Sequence, residues 1–178
     1  MPPPLLILDL DETLLHALEQ PLAREADFCV GRYYVYERPH VRPFLSACAD
    51  GFTLAVWTSA TAAFAEAALA HLTPPDLSYA FVWARERCTL RRDLDTHEAV
   101  WVKDLKKAKR RGYQLERTLM VDDTPAKLQR QYGNLIRVAP FLGDPADDEL
   151  PALLDYLAQI RESLDYRTIE KRGWRERR

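Results

Sequence analysis

Short apolar runs recur along the chain, and most of them end at a polar or acidic residue. Runs of this kind are typical of strands that are buried on both faces of a parallel sheet. The sequence predicts such strands at residues 5–10, 52–57, 79–84, 117–123 and 134–139. Asp9 lies near the end of the first run and Asp11 follows it, and the fourth run ends in Asp122 and Asp123, which places acidic side chains at strand ends.

Segments with apolar residues at helical spacing separate these strands. Helices are predicted at residues 40–50, 61–72, 103–111, 124–132 and 147–164. Strands that alternate with helices favour an α/β fold: a doubly wound parallel sheet with helices on both faces. Ligands of such sheets bind at the carboxyl ends of the strands, where the acidic residues lie.

Three segments do not fit this alternation. Residues 32–39 are aromatic and β-branched, which predicts a strand of a hairpin or small sheet. Residues 85–98 are charged and predict no regular element. Residues 166–178 are rich in arginine and predict a basic, loosely ordered tail after a single domain at residues 1–165.

The bulk composition excludes several classes of protein. The chain has 178 residues, is 47% hydrophobic and has a net charge of −2, which suits one domain with a proper core and no general attraction to nucleic acid. Its three cysteines form no CxxC pair, which favours a reducing cytoplasm over a disulfide framework or a zinc site. No apolar run reaches membrane-spanning length, so no membrane partner is expected.

Asp9 and Asp11 are the first candidates for chemistry, because like charges so close together repel unless a cation lies near. Asp9 is suited to attack phosphorus and form an aspartyl-phosphate. Asp11 is suited to protonate the leaving oxygen and then to activate water. The alternative is structural: Asp11 and Thr13 cap a following helix.

Thr58 and Ser59 follow the second strand, where a hydroxyl and backbone amides can hold phosphate oxygens at a helix start. A plain helix N-cap is the alternative for this pair. Lys103 follows an apolar stretch, and at the site it would neutralise phosphoryl charge and keep Asp9 ionised. Its alternative is the solvated basic face predicted for the lysines and arginines of residues 106–111.

Asp122 and Asp123 end the fourth strand and suggest a hard divalent cation. Mg²⁺ keeps several waters and needs few protein ligands, so Asp9, one backbone carbonyl and one of this pair would suffice. A simple turn at Asp-Asp-Thr-Pro is the alternative. The four strand-end signals together point to one Mg²⁺-dependent site more firmly than any one of them alone.

These residues resemble a known group of enzymes. The stretches DLDET (9–13), WTS (57–59) and VDDTP (121–125), with Lys103, resemble the four motifs of the haloacid dehalogenase superfamily. The stretches VYERPHVRPFL (35–45), ARERC (84–88) and VKDL (102–105) resemble the small phosphatases of the RNA polymerase II C-terminal domain, the FCP/SCP or NIF type. The likeness extends over residues 5–157.

The resemblance implies a Rossmann-like core, Mg²⁺-dependent phosphatase activity and a small β insertion, at residues 17–37, as a minimal cap. It implies that Asp9 is the nucleophile, Asp11 the general acid and base, and Lys103 the charge-stabilising lysine. It also implies phosphate or substrate contacts at Thr58 and Arg85. The metal ligands it implies are Asp9, the Asp11 carbonyl and Asp123.

The sequence departs from the family pattern at three places. Asp122-Asp123 stands where the family often has Asp-Asn, and a carboxylate there still suits Mg²⁺. WTSA stands where the family often has Phe-Thr-Ala-Ser, which leaves the phosphate-binding role of Ser59 open. Residues 89–101 are longer than expected and lie near the predicted mouth of the site, where they could alter substrate choice.

Three functions remain open from the sequence. The first is a phosphatase for phosphoserine, phosphothreonine or phosphotyrosine in proteins or peptides. The second is a phosphatase for nucleic-acid ends or nucleotides, with basic patches at residues 103–111, at Arg91 and Arg92, and at residues 171–178 with Trp174. The third is an interaction module without catalysis on the same fold.

Overall fold

The computed structural model describes residues 2–92 and 97–176. Its strands alternate with short helices and turns along the chain. The described strands, in chain order, are β1 (Leu5–Leu8), β2 (Leu15–Leu18), β3 (Phe28–Val30), β4 (Tyr33–Glu37), β5 (Thr53–Trp57), β6 (Val82–Trp83), β7 (Thr89–Arg92), β8 (Ala99–Val102), β9 (Thr118–Asp122) and β10 (Leu135–Arg137). The described α-helices are α1 (Val41–Ala49), α2 (Ala62–Leu72), α3 (Lys106–Lys109) and α4 (Glu149–Ile160).

The described part of the chain forms a parallel sheet with the strand order β10-β9-β1-β5-β6. From β1 the chain continues through β5 and β6 on one side of the sheet. It then returns to form β9 and β10 on the other side of β1, so the direction of winding reverses at β1. Such a reversal opens a crevice at the carboxyl end of the strand, which is the usual ligand site of a doubly wound fold. The predicted Rossmann-like α/β fold is confirmed.

Alternating side chains of β1 enter two separate cores, as expected for a strand with two buried faces. Leu6 and Leu8 pack with the apolar faces of α1, α2 and α4. Leu5 and Ile7 pack on the opposite face, with residues that include Leu105 and Ala108. Helices therefore cover both faces, but α3 is only four residues long.

The predicted β insertion is present as an antiparallel sheet of order β2-β4-β3. It begins at Leu15 and ends at Glu37, so it extends two residues further toward the N-terminus than the predicted 17–37. The sequence predicted β4 but assigned no strand to β2 or β3. β3 has three residues and none of them is buried, and in β2 only Leu15 and His16 are buried, so neither strand has a clear apolar period.

The prediction of an irregular segment at residues 85–98 is wrong over residues 85–92. A 3₁₀ turn at Arg85–Arg87 leads into β7, which pairs antiparallel with β8. Residues 93–96 of the long 89–101 segment lie outside the described residues. Exposed arginines on β7 concealed the strand, because its pairing is made by the backbone and not by a buried face.

Two predicted helices are shorter than expected. The basic helix predicted at residues 103–111 is confined to Lys106–Lys109, and Lys103 precedes it. The helix predicted at residues 124–132 is a 3₁₀ turn at Pro125–Leu128, with the predicted proline in its first turn. Lys103 and this turn are joined, since the Lys103 amide donates to the carbonyl of Lys127 at 2.7 Å.

The described C-terminal residues do not form a loose tail. Tyr166 is fully buried and Trp174 is 4% exposed, and both belong to the core beneath α4. The indole Nε1 of Trp174 donates to the carbonyl of Arg137 at 2.7 Å, which fixes the segment to β10. Residues 177–178 lie outside the described part of the chain.

No helix in the described ranges has both the length and the apolar character required to cross a membrane.

Candidate active site

The end of β1 delivers two carboxylates into different surroundings. Asp9 is 1% exposed, and its amide donates to the carbonyl of Val121 at 3.0 Å, which continues the sheet pairing by one residue. The chain then turns sharply at Glu12, whose φ of 60° lies in the left-handed region. This turn takes the chain away from the sheet and leaves Asp11 half-buried at the mouth of the crevice.

Lys103 lies in the site as predicted. Its Nζ is 2.8 Å from Oδ1 of Asp9 and 2.6 Å from Oδ2 of Asp122, and its side chain is fully buried. The ammonium therefore holds two carboxylates from neighbouring strands at one place. A buried lysine so paired is no part of a solvated basic face.

Asp122 and Asp123 occupy the end of β9, beside Asp9. Oδ1 of Asp122 accepts from the amide of Thr124 at 2.9 Å, and Oδ2 of Asp123 accepts from the hydroxyl of Thr124 at 3.0 Å. Oδ1 of Asp123 is buried and accepts no hydrogen bond from the described residues. A buried carboxylate oxygen in that state is costly unless a cation satisfies it.

Lys127 is a site residue that the sequence did not single out. Its Nζ lies 2.9 Å from Oδ2 of Asp9, 3.5 Å from Oδ1 of Asp122 and 3.6 Å from Oδ1 of Asp123. The available signal was its spacing, four residues after Asp123, in a turn that starts with proline. The sequence predicts it only as one position of the helix at residues 124–132.

Thr58 reaches the site, but it caps no helix. Its hydroxyl donates to Oδ2 of Asp11 at 3.3 Å and accepts from the amide of Ala60 at 3.0 Å. The N-cap of α2 is Thr61, whose hydroxyl accepts from the amide of Phe64. The capping alternative is therefore wrong for Thr58 and Ser59, and Thr58 is available to orient Asp11.

Arg85 and Ser59 lie together at the mouth. Nε of Arg85 donates to the carbonyl of Ser59 at 2.7 Å, and its guanidinium lies 5.6 Å from the ring centre of Trp101 on β8. A cleft of about 310 Å³ opens here, lined by Asp11, Ser59 and Arg85 and walled by Tyr33 and Phe64. The insertion sheet supplies Tyr33, so the cap forms one side of the entrance.

The two carboxylates of β1 differ in their protonation. Burial raises the pKa of Asp9, but the ammonium groups of Lys103 and Lys127 more than offset this and hold its pKa below the ordinary value. Burial, and then the negative charge of Asp9, raise the pKa of Asp11 to about 6. Asp9 is thus kept ionised, while Asp11 holds a proton more readily than an ordinary aspartate.

The same two effects, burial and neighbouring charge, act on Asp122 and Lys127. Burial and the charge of Asp9 raise the pKa of Asp122 to about 6, against the opposing effect of Lys103. Burial lowers the pKa of Lys127, but Asp9 and Asp122 raise it well above its usual range. Lys127 is therefore a full positive charge within this acidic group.

Asp9, Asp122 and Asp123 form a group that fits a divalent cation. Among the described residues, each of these three offers a carboxylate oxygen within 4.8 Å of the others. Oxygen donors alone, with one of them left without a hydrogen bond, suit a hard ion such as Mg²⁺. The Asp11 carboxylate points to Thr58 and is not in this group, which leaves its carbonyl as the predicted ligand.

Of the predicted nucleic-acid patches, the one at residues 171–178 is weakened by the structure. Lys171 is buried and donates to the carbonyls of Tyr166 and Ile169, and Trp174 is buried as well. Arg172 pairs with Glu170. The described part of residues 171–178 is therefore structural, and it offers neither a free basic strand nor an exposed ring for base stacking.

Comparison with known proteins matches this chain to a family of phosphatases. The family described as NLI interacting factor-like phosphatase matches residues 4–167. The probable C-terminal domain small phosphatase of Dictyostelium discoideum is 31% identical over 92% of this chain and 53% of its own length. The human carboxy-terminal domain RNA polymerase II polypeptide A small phosphatase 1 is 31% identical over 86% of this chain and 58% of its own length.

Solved structures show the same fold. The fission yeast RNA polymerase II CTD phosphatase Fcp1, bound to beryllium fluoride, superposes with a TM-score of 0.59 at 20% identity, over 90% of this chain and 51% of that chain. A second Fcp1 structure gives a TM-score of 0.60 at 16% identity. The chain spans little more than half the length of these two curated relatives and of these two solved chains.

Proposed function

The chain belongs to the NLI interacting factor-like phosphatase family, and on that premise we propose that it hydrolyses phosphomonoesters through an aspartyl-phosphate at Asp9. One observation supports this most strongly. Asp9 is buried between the ammonium groups of Lys103 and Lys127, at 2.8 Å and 2.9 Å, with Asp11 two residues away at the cleft. An ionised carboxylate beside a more basic one is the pair that two-step phosphoryl transfer requires.

In the first step, an oxygen of the Asp9 carboxylate attacks phosphorus. The bond from phosphorus to the leaving oxygen breaks, and Asp11 donates its proton to that oxygen. Lys103 remains beside Asp9 and offsets the charge that gathers on the phosphoryl oxygens. The products of this step are the free alcohol, the acyl phosphate on Asp9 and an ionised Asp11.

In the second step, Asp11 takes a proton from water, whose oxygen attacks the phosphorus of the acyl phosphate. The bond from phosphorus to the Asp9 oxygen breaks, so inorganic phosphate leaves and the Asp9 carboxylate is restored. The hydrogen bond from Thr58 orients Asp11 for both transfers. Because Asp11 acts once as acid and once as base, a pKa near 6 suits it better than an ordinary carboxyl.

Mg²⁺ is the proposed cofactor, held by Asp9, Asp123 or Asp122, and the carbonyl of Asp11. When bound, it supplies positive charge for the phosphate oxygens. Thr58, Ser59 and Arg85 are the proposed phosphate and substrate contacts. All three lie at the cleft or on Asp11, in keeping with that role.

A phosphorylated protein or peptide is the proposed substrate. The insertion is only a three-stranded sheet at one side of the mouth, so the site is open to a phosphate on a large molecule. Relatives of the chain carry the name of phosphatases of the RNA polymerase II C-terminal domain, which is a protein substrate. A cytoplasmic location, predicted from the cysteines, is proposed with it.

The test compares substrate classes with one enzyme preparation. Phosphoserine, phosphothreonine and phosphotyrosine peptides, p-nitrophenyl phosphate and oligonucleotides with 3′- or 5′-phosphates are assayed with Mg²⁺, at two salt concentrations. Turnover of phosphopeptides that Asp9→Asn removes and Asp155→Asn retains supports the proposal. Phosphate release from oligonucleotides alone would move the substrate to nucleic acid, and no release from any substrate would favour an interaction module.

A further inference from the structure

Two lysines contact the acidic group, but from different directions. Lys103 is fully buried and contacts Oδ1 of Asp9 and Oδ2 of Asp122. Lys127 contacts the opposite oxygens, Oδ2 of Asp9 and Oδ1 of Asp122, and also Oδ1 of Asp123. The side chain of Lys127 is 14% exposed, so it is the outer of the two and has a route to solvent.

The ammonium of Lys127 lies among the three carboxylates that the divalent ion is proposed to bind. All three carboxylates of the cation-binding group are within 3.6 Å of its nitrogen, and those carboxylates offer oxygens within 4.8 Å of one another. Mg²⁺ binds oxygens at about 2.1 Å, so an ion on Asp9 and Asp123 and this ammonium cannot share the space. Their charges would also repel strongly at such short range.

We propose that Lys127 is an internal counter-cation that a divalent metal must displace. This inference rests on the proposed function, because it takes the acidic group to be the metal site. Without metal, the ammonium neutralises the carboxylates and stabilises the site. With metal, the Lys127 side chain leaves the group and moves toward solvent, while Lys103 stays buried between Asp9 and Asp122.

The need to displace Lys127 lowers the affinity of the site for metal. A free cation must compete with a lysine that is tethered to the site, so the metal binds more weakly than the carboxylates alone would allow. Removing the ammonium should therefore tighten metal binding. If Lys127 only supports the site, the reverse is expected: its loss would disorder the carboxylates and weaken metal binding.

The first experiment uses variants and needs no turnover. Mg²⁺ and Mn²⁺ titrations by calorimetry compare the wild type with Lys127→Met, with Lys127→Gln as a second neutral variant. Lys109→Met on the exposed face of α3 is the control for net charge. We expect Kd to fall at least about tenfold in both Lys127 variants, which is about 1.4 kcal/mol. In Lys109→Met it should change less than twofold.

The second experiment uses the wild-type chain, so it holds even if a variant fails to fold. An amine-reactive reagent labels the protein with EDTA or with Mg²⁺, and peptide mass spectrometry reads each lysine. We expect Lys127 to be labelled several-fold faster with Mg²⁺, Lys103 to stay protected and Lys109 to react equally in both. An equal labelling rate of Lys127 with EDTA and with Mg²⁺ would overturn the proposed exchange.

The outcomes separate the two proposals. Metal that binds wild type and Lys127 variants with equal Kd contradicts the exchange and leaves the metal-dependent phosphatase intact. Metal that binds more weakly to the variants makes Lys127 a support of the site and also contradicts the exchange. No metal binding by any of these chains contradicts both the exchange and the Mg²⁺ dependence of the proposed function.

Discussion

Asp9 and Asp11 are separated by one residue, yet their surroundings differ. Asp9 enters the sheet edge and contacts two ammonium groups, whereas Asp11 turns outward to the hydroxyl of Thr58. The difference in charge environment, rather than in residue type, holds the pKa of Asp9 below its ordinary value and raises the pKa of Asp11 to about 6, which suits the nucleophile and the proton carrier of the proposed mechanism. This contrast gives a test that depends on the leaving group.

Asp11→Asn should affect poor leaving groups most. A serine alkoxide needs the proton of Asp11, so the first step should slow about 10²–10⁴-fold with a phosphoserine peptide. p-Nitrophenolate leaves without a proton, so with that substrate the first step should be nearly normal and the slow step should be loss of the phosphoryl group. A burst of p-nitrophenol in rapid-mixing experiments measures this, and an equal slowing of the first step for both substrates would argue against the role.

Lys103→Met should keep the shape of the site and lose its charge. We expect kcat to fall about 10²–10³-fold, in line with loss of a fixed electrostatic contact to the phosphoryl group. Steady-state kinetics with p-nitrophenyl phosphate measure it, with Lys106→Met as the exposed control. A Lys103→Met enzyme with normal kcat would show that Lys103 is structural.

The residue scale is where the sequence predicted most. The sequence predicts Asp9, Asp11, Asp122 and Asp123 together because the carboxyl ends of parallel strands share one edge, and it adds Lys103 because that residue follows an apolar stretch and matches a family motif. Lys127 could not be found in this way, because it lies in a turn and acts through three-dimensional proximity alone. Nor could the sequence reveal that Thr58 faces Asp11, since a hydroxyl before a helix has the same pattern as an N-cap.

At the scale of elements, Arg38 joins the insertion sheet to the approach to α4. Its guanidinium is fully buried and forms two hydrogen bonds of 2.8 Å with the carboxylate of Asp147. It also donates to the carbonyls of Thr13 and Ala139. Arg38 belongs to the stretch VYERPHVRPFL (35–45), which resembles the family. The role of Arg38 in that stretch is structural, because this arginine fixes the turn after Asp11.

Arg38→Met should be strongly destabilising. It leaves a mostly buried carboxylate and two carbonyls without their donor, which costs about 3–5 kcal/mol of unfolding free energy. Arg42→Met removes the pair between the half-exposed Arg42 and Glu37 at 2.7 Å, together with a hydrogen bond to the carbonyl of His71, and should cost less, about 1 kcal/mol. Urea unfolding of both variants measures the difference. Similar losses of unfolding free energy would show that Arg38 does not join the insertion sheet to the approach to α4.

Elements with a buried apolar face were predictable, and exposed or short ones were not. β1, β5 and β9 are almost fully buried, so each left a continuous apolar run. β7 has exposed arginines and is held by backbone bonds to β8, which no side-chain period reveals. The predicted basic helix was overextended because lysine and arginine favour helices whether or not a packing face exists.

At the scale of the molecule, the core is completed by its last described residues. Trp174 lies 5.4 Å, ring to ring, from Tyr156 of α4 and closes the face that α4 presents. The arginines around it concealed this role in the sequence. The structure thus joins residues 166–176 to the sheet core by burial, although the composition suggested a separate tail.

Trp174→Ala should therefore lower the free energy of unfolding by about 3–5 kcal/mol. Leu164→Ala is the control, because Leu164 is 68% exposed and its loss should change stability by less than about 0.5 kcal/mol. Denaturant unfolding measures both. A Trp174→Ala protein as stable as the control would mean that residues 166–176 do not contribute to the stability of the core.

The most direct test of the account is to trap the phosphoryl group. Asp11→Asn protein is mixed with p-nitrophenyl phosphate and Mg²⁺, quenched in acid and reduced with borohydride, which converts an aspartyl-phosphate to homoserine. Peptide mass spectrometry then locates the product. We expect homoserine at position 9, and none in the double variant that also carries Asp9→Asn. Phosphate release without any label at position 9, or a label at another carboxylate, would contradict it.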